Sequence, residues 1–159
     1  MIFLEKIWKK LRKFNKLLWL KLRYRKQFEY GKLRILSGFH VVIGKGAKCT
    51  IKKAFFNNNC SINCLESITI GKDCLFGESV KLYDHNHIFS SIDEPISSQG
   101  FKTKPIVIGN NVWIGSNCII LKGVTIGDNV VVGANCLIYK DIPSNSIVKN
   151  NASIIVESR

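Results

Sequence analysis

The sequence predicts an all-β body, a parallel β-helix wound from six-residue repeats, behind a basic amphipathic α-helix. Three observations carry this reading. Ile108, Ile114, Ile120, Ile126, Val132 and Ile138 form an unbroken aliphatic series at six-residue steps. Two positions before each later member stands a small or branched residue: Val112, Cys118, Val124, Val130 and Cys136. Gly109, Gly115, Gly127 and Gly133 follow four members directly. A six-residue period suits neither a helix nor a run of hairpins. It suits short strands joined by sharp corners into a prism, with inward residues stacking from coil to coil about 4.8 Å apart. Three such sides make a triangular coil, and glycine is expected beside the corners because it tolerates unusual backbone angles.

The chain opens differently. Residues 2–30 contain no Gly or Pro, and Leu4, Ile7, Trp8, Leu11, Phe14, Leu18 and Leu22 recur at three- and four-residue steps. That is the period of an amphipathic helix. Ile2, Phe3, Leu17, Trp19 and Leu20 widen its apolar face, lysines fill much of the remainder, and Gly31 is the expected stop. The organisation expected is a helix over residues 1–30 and a β-helix over 31–159.

Beyond Gly31 the phase is traced through Ile70, Phe76 and Leu82, with Cys74 and Val80, and more faintly around Ile43, Ala47 and Cys49. Residues 52–67 do not fit it, and residues 89–105 form a long excursion that ends where Pro105 re-enters the repeat. Long irregular loops on regular scaffolds often carry function. No C-x-x-C pair exists among the six cysteines, so free thiols are expected, with Cys74, Cys118 and Cys136 filling small inward positions.

The net charge of +13 is unevenly placed. Residues 1–34 hold 12 Lys/Arg against 2 Asp/Glu, whereas residues 35–159 hold 12 against 9. A body so nearly balanced argues against a nucleic-acid surface. It leaves open a basic arm that touches nucleic acid, lies on an anionic membrane surface or packs against the protein's own assembly, nucleic acid being the least favoured. No apolar run approaches the ~20 residues of a spanning helix, and charges interrupt any signal-peptide core. The expected location is cytoplasmic, with peripheral contact to the membrane's inner face through residues 1–30.

His40, His85 and His87 are the histidines, the last two within Tyr83-Asp84-His85-Asn86-His87. Continued from Leu82, the phase places Asn86 and Ile88 inward and both histidines outward. The same alternation puts Trp113 outside, as a subunit contact or a cleft wall. A histidine beside a cleft is a candidate general base, because a free imidazole titrates near neutrality. Asp84 is either an orienter of an imidazole or a solvated turn residue.

Pro105-Ile-Val-Ile-Gly-Asn-Asn-Val-Trp-Ile-Gly-Ser116, Gly123-Val-Thr-Ile-Gly-Asp-Asn129 and Lys140-Asp-Ile-Pro143 resemble the hexapeptide-repeat acyltransferases, galactoside, maltose and polysaccharide O-acetyltransferases above all. The resemblance covers roughly residues 43–148, and Asp84-His-Asn-His87 looks like that family's active-site segment. It implies a left-handed winding, a homotrimer with active sites between neighbouring prisms, and acetyl-CoA as co-substrate. It also implies direct attack by a glycan hydroxyl with a histidine as base, without a required metal.

Position by position, the resemblance implies a base at His87, which follows Asn86, or else at His85. It implies a CoA site at Trp113, Ser116, Ala134, Tyr139 and Lys140. On the acceptor side it implies Asn57, with Asn59 and Asn63 as substitutes and Asp84 nearby. The family's usual ending, Gly-x-Pro and then basic residues, is replaced by Asn150-Asn-Ala-Ser-Ile-Ile-Val-Glu157, with Lys149 and Arg159 as the neighbouring cations. The chemistry keeps alternatives: N-acetylation of an amino sugar, a metal enzyme using His85, His87 and His40, or a non-catalytic scaffold.

Overall fold

The computed structural model describes residues 15–151. The features expected of residues 1–14, and of Ile154 and Arg159, lie outside the described residues. Residues 15–24 are helical, a short 3-10 turn follows at Arg25–Gln27, and β1 (Phe28–Ile35) begins the prism. Gly31 is therefore not a helix stop. It lies within β1, where a Cβ would collide with the carbonyl oxygen of Lys52 on the next coil. The helix ends earlier because β1 pairs in parallel with β3 from Phe28 onward, and the alternation of residues 28–35 suits a strand.

Each coil adds up to three short strands. The first holds β1 and β2 (His40–Ile43), the second β3 (Lys48–Phe56) and β4 (Ser61–Cys64). The third holds β5 (Ser67–Ile70), β6 (Cys74–Phe76) and β7 (Lys81–Tyr83). There the chain leaves the prism through β8 (His85–His87) and returns by β9 (Phe101–Thr103), an antiparallel pair. The fourth coil is β10 (Ile106–Ile108), β11 (Trp113–Ile114) and β12 (Ile119–Leu121). The fifth is β13 (Thr125–Ile126), β14 (Val131–Val132) and β15 (Leu137–Ile138), and β16 (Ile147–Val148) starts a sixth. All pairings other than β8 with β9 are parallel, as the repeat requires.

The expected inward residues of the repeat, from Ile43 through Leu82 and from Ile108 through Ile138, are buried and form one continuous core. Phe39, Phe56 and Phe76 fill its wider early coils, with Phe56 and Phe76 stacked at 4.2 Å between ring centroids. Residues 52–67 turn out to be an ordinary coil. Their phase is hidden because coils differ in length: Ile43 pairs with Cys64, Ile62 with Leu82, Ile120 with Ile138 and Val132 with Val148. Only the fourth-to-fifth step repeats at eighteen residues.

The corners work differently from the expectation. The repeat glycines do not take the left-handed conformation. They are small because the next coil passes too close, as at Gly115, where a Cβ would lie 2.6 Å from the Ala134 nitrogen. The left-handed corners fall mostly to asparagine, at Asn59, Asn111, Asn117, Asn129, Asn135 and Asn145, with φ between 53° and 63°, and also to Asp73, Ser79 and the non-repeat glycines Gly38, Gly46 and Gly123. A short amide side chain tolerates that region and can bond its copies. Asn111 Nδ2 donates to Asn129 Oδ1 at 3.0 Å, and Asn129 Nδ2 to Asn145 Oδ1 at 3.1 Å.

All six cysteines are free and buried. Several cap the close approach at the corners: the thiols of Cys60, Cys74 and Cys118 donate to the carbonyls of Gly77, Gly109 and Gly133 on the following coil, at 3.0 to 3.2 Å. Burial pushes the Cys49 thiol from the ordinary 9.0 up to about 12, with the nearby charge of Asp84 adding to the shift, and pushes Cys64 up for the same reasons. These protons are held more tightly folded than unfolded. Their contribution to stability is complete below pH ~9 and is lost as pH climbs toward ~12. Urea midpoints are therefore expected to fall steadily above pH 9, with no thiol reacting with a disulfide reagent in the native protein at pH 8. Rapid native-state reaction would contradict the packing.

Candidate active site

Where β7 ends, the chain keeps one more inward residue before it leaves the prism. Asp84 is fully buried, the single buried charged side chain among the described residues. The corner of the preceding coil holds it: the Leu65 N–H donates to its Oδ1 at 2.7 Å and the Glu66 N–H to its Oδ2 at 2.8 Å. A buried carboxylate costs heavily unless such donors replace water. Asp84 is thus neither a solvated turn residue nor a surface that a substrate could touch.

His85 follows directly. Its Nδ1 lies 3.0 Å from Asp84 Oδ1, and its side chain is only 16% exposed. With Nδ1–H donating to the carboxylate, the neutral ring keeps Nε2 as its acceptor. Two aromatic rings flank it edge-on, Phe101 at 5.2 Å and Tyr83 at 6.3 Å between centroids. His87 is exposed and rests against the same Phe101 at 4.5 Å.

Asn86 is exposed rather than inward, and Ile88 is half-buried. The reason is the β8–β9 pairing, His85 with Thr103 and His87 with Phe101, which carries both strands outside the prism where its phase no longer applies. The excursion between them is pinned internally. Gln99 accepts from the Ser91 N–H at 3.0 Å and donates to the carbonyls of Ser91 and Glu94 at 3.0 and 2.9 Å. Beside the hairpin lies a groove of about 720 Å³ whose lining includes His87, Phe89, Phe101, Lys102, Thr103 and Lys122.

The remaining candidates divide between two edges of the prism. Trp113 is exposed on the outer ladder that runs through Phe55, Leu75, Trp113, Val131 and Ile147. Ser116 and Ala134 stand at the corner after it on consecutive coils, where Ser116 Oγ accepts from the Glu78 N–H at 3.1 Å and Asn135 N–H donates to the Ser116 carbonyl. Asn57 is at the same edge on the second coil, its amide oxygen turned to the Asn58 N–H.

Tyr139 and Lys140 lie at the other edge, after the third side, where Lys104, Lys122 and the Asp84–His85 pair also stand; Lys140 Nζ is 5.6 Å from the Tyr139 ring centroid. Of the three asparagines, Asn63 is the one near this edge, paired with Tyr83, while Asn57 and Asn59 occupy the opposite corner. One chain brings Asp84, His85, His87 and Phe101 together, and Ser116 with Ala134, but not the two groups with each other. Phe101 and the backbone donors of Leu65 and Glu66 carried no sequence signal, because each acts through a non-repeating segment. His40 sits on β2 beside Ser61, away from the hairpin, and among the described residues no three His, Cys, Asp or Glu side chains gather as metal ligands.

Comparison with known proteins agrees with the fold. The family model described as bacterial transferase hexapeptide (six repeats) matches residues 105–140. The putative lipopolysaccharide biosynthesis O-acetyl transferase WbbJ of Escherichia coli strain K12 is 34% identical over 116 residues, covering 65% of this chain and 59% of that protein. This chain thus spans about three fifths of the length of that curated relative.

Among solved structures, a hexapeptide-repeat acetyltransferase of Vibrio cholerae complexed with acetyl coenzyme A is 32% identical, with TM-score 0.65, covering 84% of this chain and 73% of its own. A galactoside acetyltransferase in complex with coenzyme A is 30% identical, with TM-score 0.58, covering 76% and 61%.

Proposed function

The chain belongs to the hexapeptide-repeat acetyltransferases, and from that premise we propose that it moves an acetyl group from acetyl-CoA to a sugar hydroxyl of a cell-surface glycan or its precursor. The observation that carries the reading is the buried Asp84 holding His85 at the mouth of the hairpin. His85 is the base in this proposal, in place of His87, because among the described residues it is the histidine whose ring nitrogen meets a carboxylate.

The Nε2 atom takes the proton of an acceptor hydroxyl as its oxygen attacks the thioester carbonyl. When the tetrahedral intermediate collapses, the carbon–sulfur bond breaks and the imidazolium returns the proton to the leaving CoA thiolate. The ring of His85 is never acylated, so donor and acceptor must be bound together. Ser116 and Ala134, stacked at one corner, suit a pantetheine arm held through backbone groups, and Lys140 is an exposed cation suited to a phosphate. Ser116 and Ala134 stand on a different edge from His85, so the complete site is proposed to form between neighbouring prisms of a homotrimer.

WbbJ, as its name describes it, is an O-acetyl transferase of lipopolysaccharide biosynthesis, which supports a surface-glycan acceptor here. The test is acetyl-CoA consumption by the purified protein with a glycan acceptor. The expected product loses its acetyl group in mild base, as an ester does. A base-stable amide would replace this reading with amino-sugar N-acetylation, and absence of CoA release with every acceptor would point to a scaffold.

A further inference from the structure

The helix that precedes the prism packs by a different face from the one its sequence pattern favours. Leu20 is fully buried, Tyr24 is buried with its hydroxyl donating to the Val41 carbonyl at 3.2 Å, and Leu17 packs against the same core. Gln27 fixes the exit, its Nε2 donating to the Gly44 and Ala47 carbonyls at 2.7 and 3.1 Å. The helix is thereby held to the first coil through Leu17, Leu20 and Tyr24.

Leu18 and Leu22 remain 44% and 67% exposed, with Trp19 beside them at 50%. These two leucines are the last members of the three- and four-residue series that begins at Leu4. Over the described turns of the helix, the stripe of Leu18 and Leu22 is thus not the one that the prism covers. A groove of about 960 Å³ at this place is lined by Leu18, Leu22, Phe28 and Tyr30 with Lys21, Arg25 and Lys26, and its one carboxylate, Glu29, is paired with Lys48 at 3.0 Å. Arg23 lies over the Trp19 ring at 5.2 Å.

We propose that this face, Leu18, Trp19 and Leu22 among Lys16, Lys21, Arg23, Arg25 and Lys26, docks on an anionic lipid surface. Charge decides between a bilayer and a second copy of the chain. Residues 1–34 carry 12 Lys/Arg against 2 Asp/Glu, so two such arms placed face to face repel. A surface of acidic headgroups neutralises the same cations and accepts the leucines and the indole at its acyl boundary. The prism itself stays in water, and the short helix-to-prism connection holds it close to the surface.

The test is co-sedimentation of the full chain with vesicles of phosphatidylcholine alone and of a phosphatidylcholine–phosphatidylglycerol mixture. It is repeated for the triple variant Leu18→Ser, Trp19→Ser, Leu22→Ser, with light scattering of both proteins without lipid. The expected result is binding to the anionic vesicles only, weakened by added salt and reduced about tenfold or more in the variant. None of the three side chains belongs to the core, so the variant's thermal unfolding should match the wild type. Binding to neither vesicle, equal binding to both, or unchanged binding by the variant overturns the proposal. So does a lipid-free variant that forms a smaller assembly than the wild type, because the face then belongs to a second copy.

Discussion

Replacing His85 with alanine is expected to lower kcat for acetyl transfer by about 10²- to 10⁴-fold, the usual contribution of a positioned general base. The Michaelis constant for acetyl-CoA should change little, because Ser116 and Ala134, proposed to hold the pantetheine arm, stand on another edge of the prism. His87→Ala is the matched control. His87 is exposed, has Phe101 as its ring contact, and meets no carboxylate among the described residues. Its loss should cost less than about tenfold, since removing a contact without a proton-transfer role gives a modest effect. The measurement is steady-state release of CoA thiol by both variants with the same glycan acceptor. Full activity in His85→Ala, or a larger loss in His87→Ala, would reverse the assignment.

Asp84→Ala should damage both the fold and the chemistry. The side chain is fully buried and accepts two backbone N–H groups from the previous coil, Leu65 and Glu66. Removing it leaves both donors without their acceptor at a part-buried corner, and each unmade bond of this kind costs on the order of 1–3 kcal/mol. A loss of about 3 kcal/mol in unfolding free energy is the expected sum.

His85 also loses the acceptor that fixes its Nδ1–H, so kcat should fall even where the variant is fully folded. Asp84→Asn separates the two effects. The amide keeps the shape, but either orientation turns its NH2 toward one of the two backbone donors, so part of the stability loss remains. Urea unfolding and kcat measured on both variants at low temperature give the comparison. An Asp84→Ala protein with wild-type stability and wild-type kcat would show that the pair has no role in either.

Much of the prism was legible because its pattern is local and periodic. Ile108 through Ile138 are inward for one reason repeated six times: each lies directly above its counterpart on the coil below. The early coils were harder to read. The step from Ile43 to Cys64 is longer than that from Ile120 to Ile138, so no fixed period spans both. Glycine at the corners was seen, but its reason was not. Gly115 answers a close approach from the next coil, whereas the unusual backbone angles belong to Asn111, Asn117 and their copies.

The candidate site divides the same way. The segment Tyr83 to His87, the excursion after it and the outward Trp113 were visible in the letters alone. The bracing of His85 by Asp84 was not, because it depends on Leu65 and Glu66 offering their N–H groups to Asp84 from nineteen and eighteen residues away. Nor did the letters show that β8 pairs with β9, which turned Asn86 outward and set Phe101 against both imidazoles.

The sequence by itself determined the β-helix, its inward residues and its separate basic arm, since each is written as a repeat or a composition that neighbouring residues share. Only the tertiary structure decided that His85 is the histidine braced by a carboxylate, and that the arm meets the prism through Leu17, Leu20 and Tyr24 while Leu18 and Leu22 stay exposed. Those outcomes rest on contacts between non-repeating segments, whose energies appear only once the coils have brought distant residues side by side.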